Sequence, residues 1–500
     1  MTSPQGHAFV VQGDLTQLVC DEVLIPTDRW LDVGRHWDSL MPLRERDHLP
    51  AGWSTGTVRV TARLPPVEGL PARRMVNSGA SEHDPAGWLL EGVDQALAAA
   101  VTGLSGSTST VQRALPLLAL PVLGTGAGGF ASRRGEVLDG LLSRCQQMAL
   151  DSGVDIAVVC HDRSDLTAVQ ARRSQLTRPP ASPLARRLGR LARQGGLALF
   201  LGAGVSVGAG LPGWASLLSK LAESDPRTHD LPKAWLAQGD LWQRASELQA
   251  VLGDEGMAAA VRSVLSQRRF ALSHALLASL PGKEVVTTNF DGLFESARSV
   301  RTVPKLELLP YVRGGEAYLL KLHGDARLGD VVLSRESLEA FEVQRRPLAG
   351  LLQGLLLTRH LLFVGCSMQD ENVQRTIDEV AALVKQHGHD GPVGTILLLT
   401  ADAEVKADWE AKGFAVEAVS EADERTAARA LEVLLDEVLL EATYDEGAHL
   451  LDPTYAALLD PQESDAAAVL RAAAALVPAG AQWAGLRQAL QAHGAPVTPH

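Results

Sequence analysis

Cysteine and basic charge are both scarce in this 500-residue chain, and long apolar runs are missing. The only cysteines are Cys20, Cys145, Cys160 and Cys366, and no two have the two-residue spacing of a metal knuckle. That argues against a disulfide framework and against a zinc site, so no metal is expected. Lys and Arg number 46 against 59 Asp and Glu, a net charge of −13. An acidic chain is a poor default partner for nucleic acid, because phosphate must be met by a basic surface, so no direct nucleic-acid binding is expected. The most apolar window, residues 196–214, is interrupted by glycines and a proline, so no membrane partner is expected. The opening MTSPQGHAFVVQGD lacks the basic start and apolar run of a signal peptide. A reducing cytoplasm is the expected compartment.

The chain does have an ordinary globular composition, 46% apolar and 21% charged, over a length that suits two to four domains. Residues 8–19 read as a strand, a turn and the next segment, and short apolar runs at 21–28, 57–62, 73–79, 117–124 and 154–161 read as strands. Between them PAGWLLEGVDQALAAAV and RRGEVLDGLLSRCQQMALDSG carry apolar residues at helical spacing. Residues 162–192 are rich in Arg, Ser and Pro and read as a basic linker with a lead-in helix; no aromatics interleave to stack bases. A second α/β block follows, with strands expected at 197–204, 283–290, 317–324, 360–367, 394–400 and 415–419. Their near-continuous apolar character predicts a parallel sheet covered on both faces. Ala/Leu-rich helices close the chain. The predicted fold class is α/β: two three-layer α/β domains at 1–161 and 193–422, joined by 162–192, with a small helical region at 423–500.

The second block opens with LALFLGAGVSVGAGLPGW. A buried strand running into Gly202-Ala203-Gly204 aims backbone N–H groups and a helix start at one point, a geometry suited to a diphosphate. A tight strand–helix turn would explain the glycines equally well. Three further strands end in Thr287-Thr288-Asn289-Phe290-Asp291, Lys321-Leu322-His323-Gly324-Asp325 and Val364-Gly365-Cys366-Ser367. Ligands of parallel sheets bind beyond the carboxyl ends of the strands, so these four turns should share one crevice.

The ordered set GAGVSVGAGLP, TTNFDGLFESA, KLHGD and VGCS resembles sirtuin-like NAD-consuming domains over about residues 190–420. The resemblance implies a Rossmann-like parallel sheet with NAD as substrate. Gly202, Ala203, Gly204 and Ser206 would hold its phosphates, with Thr288 also among the dinucleotide contacts. Asn289 and Asp291 would sit beside the nicotinamide ribose, His323 would be the catalytic histidine, and Gly365 and Ser367 would flank the adenosine half. In that scheme Asn289 orients a water or ribose hydroxyl and His323 accepts its proton. Asp291 fixes Asn289 or stabilises positive charge. Two departures speak against a protein deacetylase. Gly213-Trp214-Ala215 replaces the acidic residue and arginine after the first motif. Only ARLG separates Asp325 from Asp330, where deacetylases insert a two-CxxC zinc module. The shortened form looks like bacterial NAD hydrolases of antiphage defence.

The pattern VVQGDLTQLVCDEVLIPTD, followed by ALPVLGTGAGGF, resembles a macrodomain over about residues 7–162. That implies an ADP-ribose-like ligand, with Asp14 on the adenine amine. Gly124, Thr125, Gly126, Ala127, Gly128, Gly129 and Phe130 would surround its diphosphate and distal ribose. Pro26-Thr27-Asp28 stands where ADP-ribose hydrolases carry an Asn-Ala-Asn-like sequence, so ligand sensing is expected rather than hydrolysis. The combined expectation is an NAD glycohydrolase gated by an ADP-ribose-like signalling nucleotide and assembled as a homo-oligomer. An NAD-dependent deacylase or ADP-ribosyltransferase, or a non-catalytic nucleotide-binding regulator, are the alternatives.

Overall fold

The computed structural model describes residues 5–41, 50–67, 69–79, 84–126, 128–176, 180–228, 240–298, 301–303, 316–334, 346–386 and 391–496. Two compact units emerge, Met1–Ser182 with Asp436–His500, and Pro183–Leu435.

In the first unit, strands β1 (Ala8–Gln12), β2 (Glu22–Thr27), β3 (Ala72–Asn77), β4 (Leu117–Pro121) and β5 (Asp155–Cys160) form one sheet in the order β1-β5-β4-β2-β3. Every pairing is parallel. Helix α1 (Ala86–Leu104) buries Leu89, Val93, Ala96, Leu97 and Ala100, and α2 (Arg134–Ser152) buries Val137, Leu138, Leu141, Leu142 and Cys145. These are the three- and four-residue spacings of a helix with one face on a sheet. Residues 57–62 do not form a full strand. A single antiparallel bridge joins Val60 to Val76, and the Met75 N–H donates to the Thr61 hydroxyl at 3.0 Å where a ladder would use a carbonyl.

The segment after 162 is helical. Asp162 caps helix α3 (Arg163–Gln175) by accepting the Asp165 N–H, and Leu166 and Val169 enter the core. Arg173 donates to both carboxylate oxygens of Asp436, at 3.1 and 2.5 Å, and His7 meets the same carboxylate at 2.8 Å. Burial works to raise the Asp436 carboxyl, but Arg173 and His7 outweigh it and hold the group well below the usual range. Tyr455 is fully buried in the core of this unit, its hydroxyl donating to Asp165 at 2.7 Å. The chain from Asp436 onward is thus built into the first unit.

The second unit begins with α4 (Pro183–Arg193). Its strands are β6 (Leu197–Leu201), β7 (Glu284–Thr287), β8 (Arg301–Val303), β9 (Tyr318–Lys321), β12 (His360–Val364), β13 (Gly394–Leu398) and β14 (Ala415–Ala418). They form a sheet in the order β14-β13-β12-β6-β7-β9-β8, all parallel. A short antiparallel hairpin, β10 (Gly324–Asp325) with β11 (Asp330–Val331), follows β9. From β6 the chain builds outward through β7, then returns to place β12 on the other side of β6. Such a reversal of strand order opens a crevice at the carboxyl edge. No described helix is long and apolar enough to cross a membrane.

Candidate active site

Register brings the four predicted turns to one edge. Val364 pairs with Leu201, Leu201 with Thr287, and Thr287 with Lys321. Gly365, Gly202, Thr288 and Leu322 are therefore the first residues beyond four adjacent strands. Asn289 and His323 each stand two residues past a paired position, at matching height on neighbouring strands.

The glycine loop corrects one expectation. The Gly202 and Gly204 N–H groups donate to Val364 O and Gly365 O at 3.0 and 2.9 Å, and those of Val205 and Ser206 donate to Gly202 O and Ala203 O. These N–H groups are engaged within the protein and do not point bare at a diphosphate. The glycines answer to close backbone packing. A Cβ on Gly202 would lie 2.4 Å from Gly365 O, and one on Gly365, at φ +69°, would lie 2.5 Å from Val205 N.

Ser206 is also placed differently from the expected phosphate contact. It is buried, and its hydroxyl donates to Asp291 Oδ2 at 2.9 Å. The Ser206 hydroxyl oxygen in turn accepts from His274 Nε2 at 3.3 Å and from Asn289 Nδ2 at 3.4 Å. A hydroxyl has one proton, and here Asp291 takes it. Asp291 uses its other oxygen to accept the Leu293 N–H at 3.0 Å, so it reaches Asn289 only through Ser206. His274 lies in helix α5 (Leu272–Ser279) and was not legible as a site residue. Its Nδ1 accepts the Ala271 N–H at 3.3 Å, which leaves the proton on Nε2. Burial pushes this ring down to about 4 against the pull of Asp291, so it is neutral at pH 7.

Asn289 turns its amide nitrogen to Gly202 O at 3.0 Å, and because a carbonyl only accepts, the amide orientation is settled. Its Oδ1 is buried with no partner among the described residues. An unsatisfied buried acceptor is costly, and at a strand edge it is a place for a ligand's O–H or N–H.

His323 is buried against two aromatic rings, edge-on to Trp242 at 5.8 Å and tilted to Phe290 at 6.4 Å. Its Nε2 lies 3.1 Å from Asp370 Oδ2. Asp370 precedes helix α6 (Glu371–Gln386) and accepts the Val373 N–H on its other oxygen at 3.0 Å. Burial acts to raise the Asp370 carboxyl, but the His323 ring and two backbone N–H groups prevail and hold it below its ordinary range. Lys321 locks the arrangement from beneath. Wholly buried, it donates to the carbonyls of Phe290 and Asp291 and to Glu295 and Asp325 at 3.1 and 3.2 Å. It thereby ties the Asn289 turn to the His323 strand.

Thr288 is half-buried, its N–H bonded to Leu201 O, and Ser367 is exposed at the rim. Asn372 in the first turn of α6 has both amide atoms buried and unpartnered among the described residues. Asp370 and Asn372 escaped the sequence reading. The only trace of the first was an acidic residue ahead of a helical pattern, the ordinary look of a cap. Met368, between Ser367 and Asp370, adopts φ 57°, a left-handed conformation that a buried methionine holds only under constraint.

In the first unit, Asp14 is exposed and caps a short turn through the Thr16 N–H and hydroxyl, at 2.9 and 2.7 Å. Gly124 and Gly129 have positive φ, Gly128 packs against Gly124 and Ser78, and Gly126 faces open space. Thr125 is buried, its hydroxyl on Val122 O at 3.0 Å. Ala127 lies outside the described residues. Phe130, expected beside a ligand, is fully buried with Leu89 and Val137 and anchors the loop. Asp28 uses one carboxylate oxygen to close its own turn, accepting the N–H groups of Trp30 and Asp32 at 2.8 Å.

Residues 283–416 match the family described as SIR2-like domain. Similar curated proteins include "NAD(+) hydrolase ThsA" of Acinetobacter baumannii (strain 532279), 27% identical over 202 residues, 38% of this chain and 40% of that one. The Cytobacillus dafuensis protein of the same name is 29% identical over 201 residues, covering 38% and 39%. "Defense-associated sirtuin 2" of Bacillus subtilis is 26% identical over 208 residues, covering 39% and 20%. The chain spans about two-fifths of the length of the first two relatives. Among solved structures, the Oceanobacillus iheyensis macrodomain with ADP aligns at 15% identity, covering 35% of this chain and 93% of that one, with a TM-score of 0.25. The same macrodomain with MES bound aligns at 16% identity, covering 35% and 94%, with a TM-score of 0.26. Three of the four carboxyl-edge turns, those after β7, β9 and β12, lie within the residues that match the SIR2-like domain.

Proposed function

We propose that the second unit is an NAD+ glycohydrolase that releases nicotinamide and serves in antiphage defence. The observation that carries this reading is the pairing, at matching height on adjacent strands, of His323 with the buried, unsatisfied Oδ1 of Asn289. The relatives named as NAD(+) hydrolases and as a defence-associated sirtuin support it.

The chemistry follows from NAD+ itself. Its pyridine nitrogen is cationic, so the glycosidic C–N bond breaks with the electron pair leaving on nitrogen, as neutral nicotinamide. The ribose passes through an oxocarbenium-like state, as in glycoside cleavage generally. Water then bonds to the anomeric carbon and gives up a proton, so NAD+ and water become ADP-ribose, nicotinamide and H+. Asn289 Oδ1 is suited to accept from the attacking water or a ribose hydroxyl and so orient it. His323 is suited to take the proton. Asp291, Ser206 and His274 hold Asn289 in place through the Ser206 hydroxyl. After Gly324-Asp325 the chain turns back through 326–329 into β11, where a deacylase of this type would carry its zinc module.

The first unit is assigned the role of a sensor for an ADP-ribose-like nucleotide, at the edge formed by Asp14 and the Gly124–Gly129 loop. Its support is the exposed Asp14 carboxylate and the open face at Gly126. The test is chromatography of NAD+ after incubation with the full chain, alone and with ADP-ribose and its cyclic and amino-acid-conjugated derivatives. Nicotinamide and ADP-ribose should accumulate, faster with one of the added nucleotides. Asn289→Ala and His323→Ala should each lower release at least ~10³-fold, within the range for removing a proton-transfer or orienting group. Wild-type rates in both variants would overturn the site. A constant rate with every added nucleotide would overturn the gate.

A further inference from the structure

We propose that Asp370 is the positioning residue for His323: by accepting the Nε2–H it fixes the ring and leaves Nδ1 as the basic nitrogen for the reaction. The inference rests on the hydrolase reading and assigns a role to a residue outside the four recognised turns.

The Asp370 carboxylate is shared between two donors. Oδ1 accepts the Val373 N–H at 3.0 Å and so caps α6, while Oδ2 meets His323 Nε2 at 3.1 Å. A carboxylate can only accept, so the imidazole nitrogen facing it must carry hydrogen. The side chain is largely buried and kept ionised by its surroundings, so this assignment persists at neutral pH. The Asp370 carboxylate is also well seated. The cap ties it to a helix of 16 residues, and Met368 reaches it through a left-handed turn that only a constrained loop adopts. The edge-on Trp242 ring and the tilted Phe290 ring fill two sides of the imidazole, so the ring has little room to flip. Among the described residues, the neighbouring charged groups have partners of their own. Lys321, Asp325, Glu295 and Arg327 bond to one another, and Asp291 bonds to Ser206 and Leu293. In the neutral Nε2–H tautomer, the proton from water or a ribose hydroxyl forms its new bond at Nδ1 as the O–H bond breaks. Asp370 remains a carboxylate throughout and stabilises the imidazolium that results.

The isosteric variant Asp370→Asn separates this role from a structural one. Asparagine caps helices as well as aspartate does. Its amide oxygen must stay on the Val373 N–H, because only an acceptor fits there. Its NH2 group then faces His323 and donates, which demands an unprotonated Nε2 and moves the ring proton to Nδ1. The fold is kept and the tautomer is reversed.

The experiment uses the full chain with histidine rings labelled in 15N, and follows nicotinamide release alongside thermal unfolding. The His323 signal, identified by its loss in His323→Ala, should show the Nε2–H tautomer in wild type and Nδ1–H in Asp370→Asn. In the same variant kcat should fall at least ~100-fold, with KM within about threefold and an unchanged unfolding temperature, since a reversed tautomer at a catalytic histidine is severe. Asp370→Ser, which caps but cannot reach the ring, should lose kcat in the same way and guards against a single misfolded variant. Wild-type kcat in Asp370→Asn, or an Nδ1–H tautomer in the wild-type protein, overturns the proposal. Wild type that releases no nicotinamide overturns the hydrolase reading, whereas active wild type with equally active Asp370 variants overturns only the role of Asp370.

Discussion

Two glycine-rich turns, each following a buried parallel strand, open the two candidate sites, yet they solve different problems. In the second unit, Gly202, Gly204 and Gly365 bring two loops into backbone-to-backbone contact, and the Gly202 and Gly204 N–H groups donate across it. In the first unit, Gly124 and Gly129 supply left-handed turns, Gly128 packs tightly and Gly126 looks into open space. A glycine-rich turn therefore says that something approaches the backbone closely, and the approaching group can be another loop as readily as a phosphate. Chemistry has to be read from the polar side chains beside it. The second unit gathers Ser206, His274, Asn289, Asp291, His323 and Asp370 in bonded groups at one edge. Of the predicted ligand residues of the first unit, Asp14 is exposed and Phe130 is buried.

The contrast breaks most readily at the glycines. Gly365→Ala meets both positive φ and a 2.5 Å clash with Val205 N, and should destabilise the second unit by more than ~3 kcal/mol or prevent its folding. Gly126→Ala meets nothing within 4 Å and should cost under ~1 kcal/mol. Chemical denaturation of both variants, with each unit's transition followed, checks the pair. Equal costs would mean that the two turns are the same device.

Acid should separate the units next. His274 and His360 in the second unit, and His449 in the first, are each pushed down to about 4 chiefly by burial. The unfolded chain, with ordinary histidines near 6.5, binds more protons between those values, so stability rises with pH across that window. It is fully present above about pH 6.5 and is lost as the pH falls toward 4, on the order of 3 kcal/mol per histidine. With two such groups against one, calorimetry between pH 7 and 4.5 should show the second unit losing stability faster. A larger loss in the first unit would contradict the buried neutral rings.

A smaller effect tests how the C-terminal segment belongs to the first unit. Tyr455→Phe removes the 2.7 Å hydrogen bond to buried Asp165 while keeping the ring in the core. It should cost about 1–2 kcal/mol, read as a lower midpoint for the first unit alone. No change would mean that the hydroxyl contributes nothing to that packing.

Much of this was legible in advance. Apolar runs such as LALFL and DIAVVC became fully buried parallel strands because a strand covered on both faces has no polar alternation to display. Asn289 and His323 were legible because they follow such runs at once. The stretch at 57–62 failed because, beside backbone bonds from Thr61 N–H to Met75 O and from Asn77 N–H to Arg59 O, the Thr61 hydroxyl takes the Met75 N–H in place of a carbonyl, a choice that periodicity does not record. Residues 163–175 looked like a linker because their arginines suggested solvent. Arg173 is instead buried on Asp436, 263 positions later in the chain. Ser206 was read as a ligand contact because the identity of its hydrogen-bond partners, His274 and Asp291, is a matter of folding and not of spacing.

The central strands, the parallel sheets and the presence of an imidazole and a carboxamide beyond two strand ends were determined by local pattern, whereas the segment at 57–62 and the edge strand β8 were not. Apolar runs and turn residues act over a few neighbours, and that information is complete in the chain. Register, the tautomer of His323 and the use of each loop N–H were decided only in three dimensions. Each depends on a partner from a distant segment, Asp370 for the ring and Gly365 for the loop, and directional bonds acquire meaning only when both ends are in place.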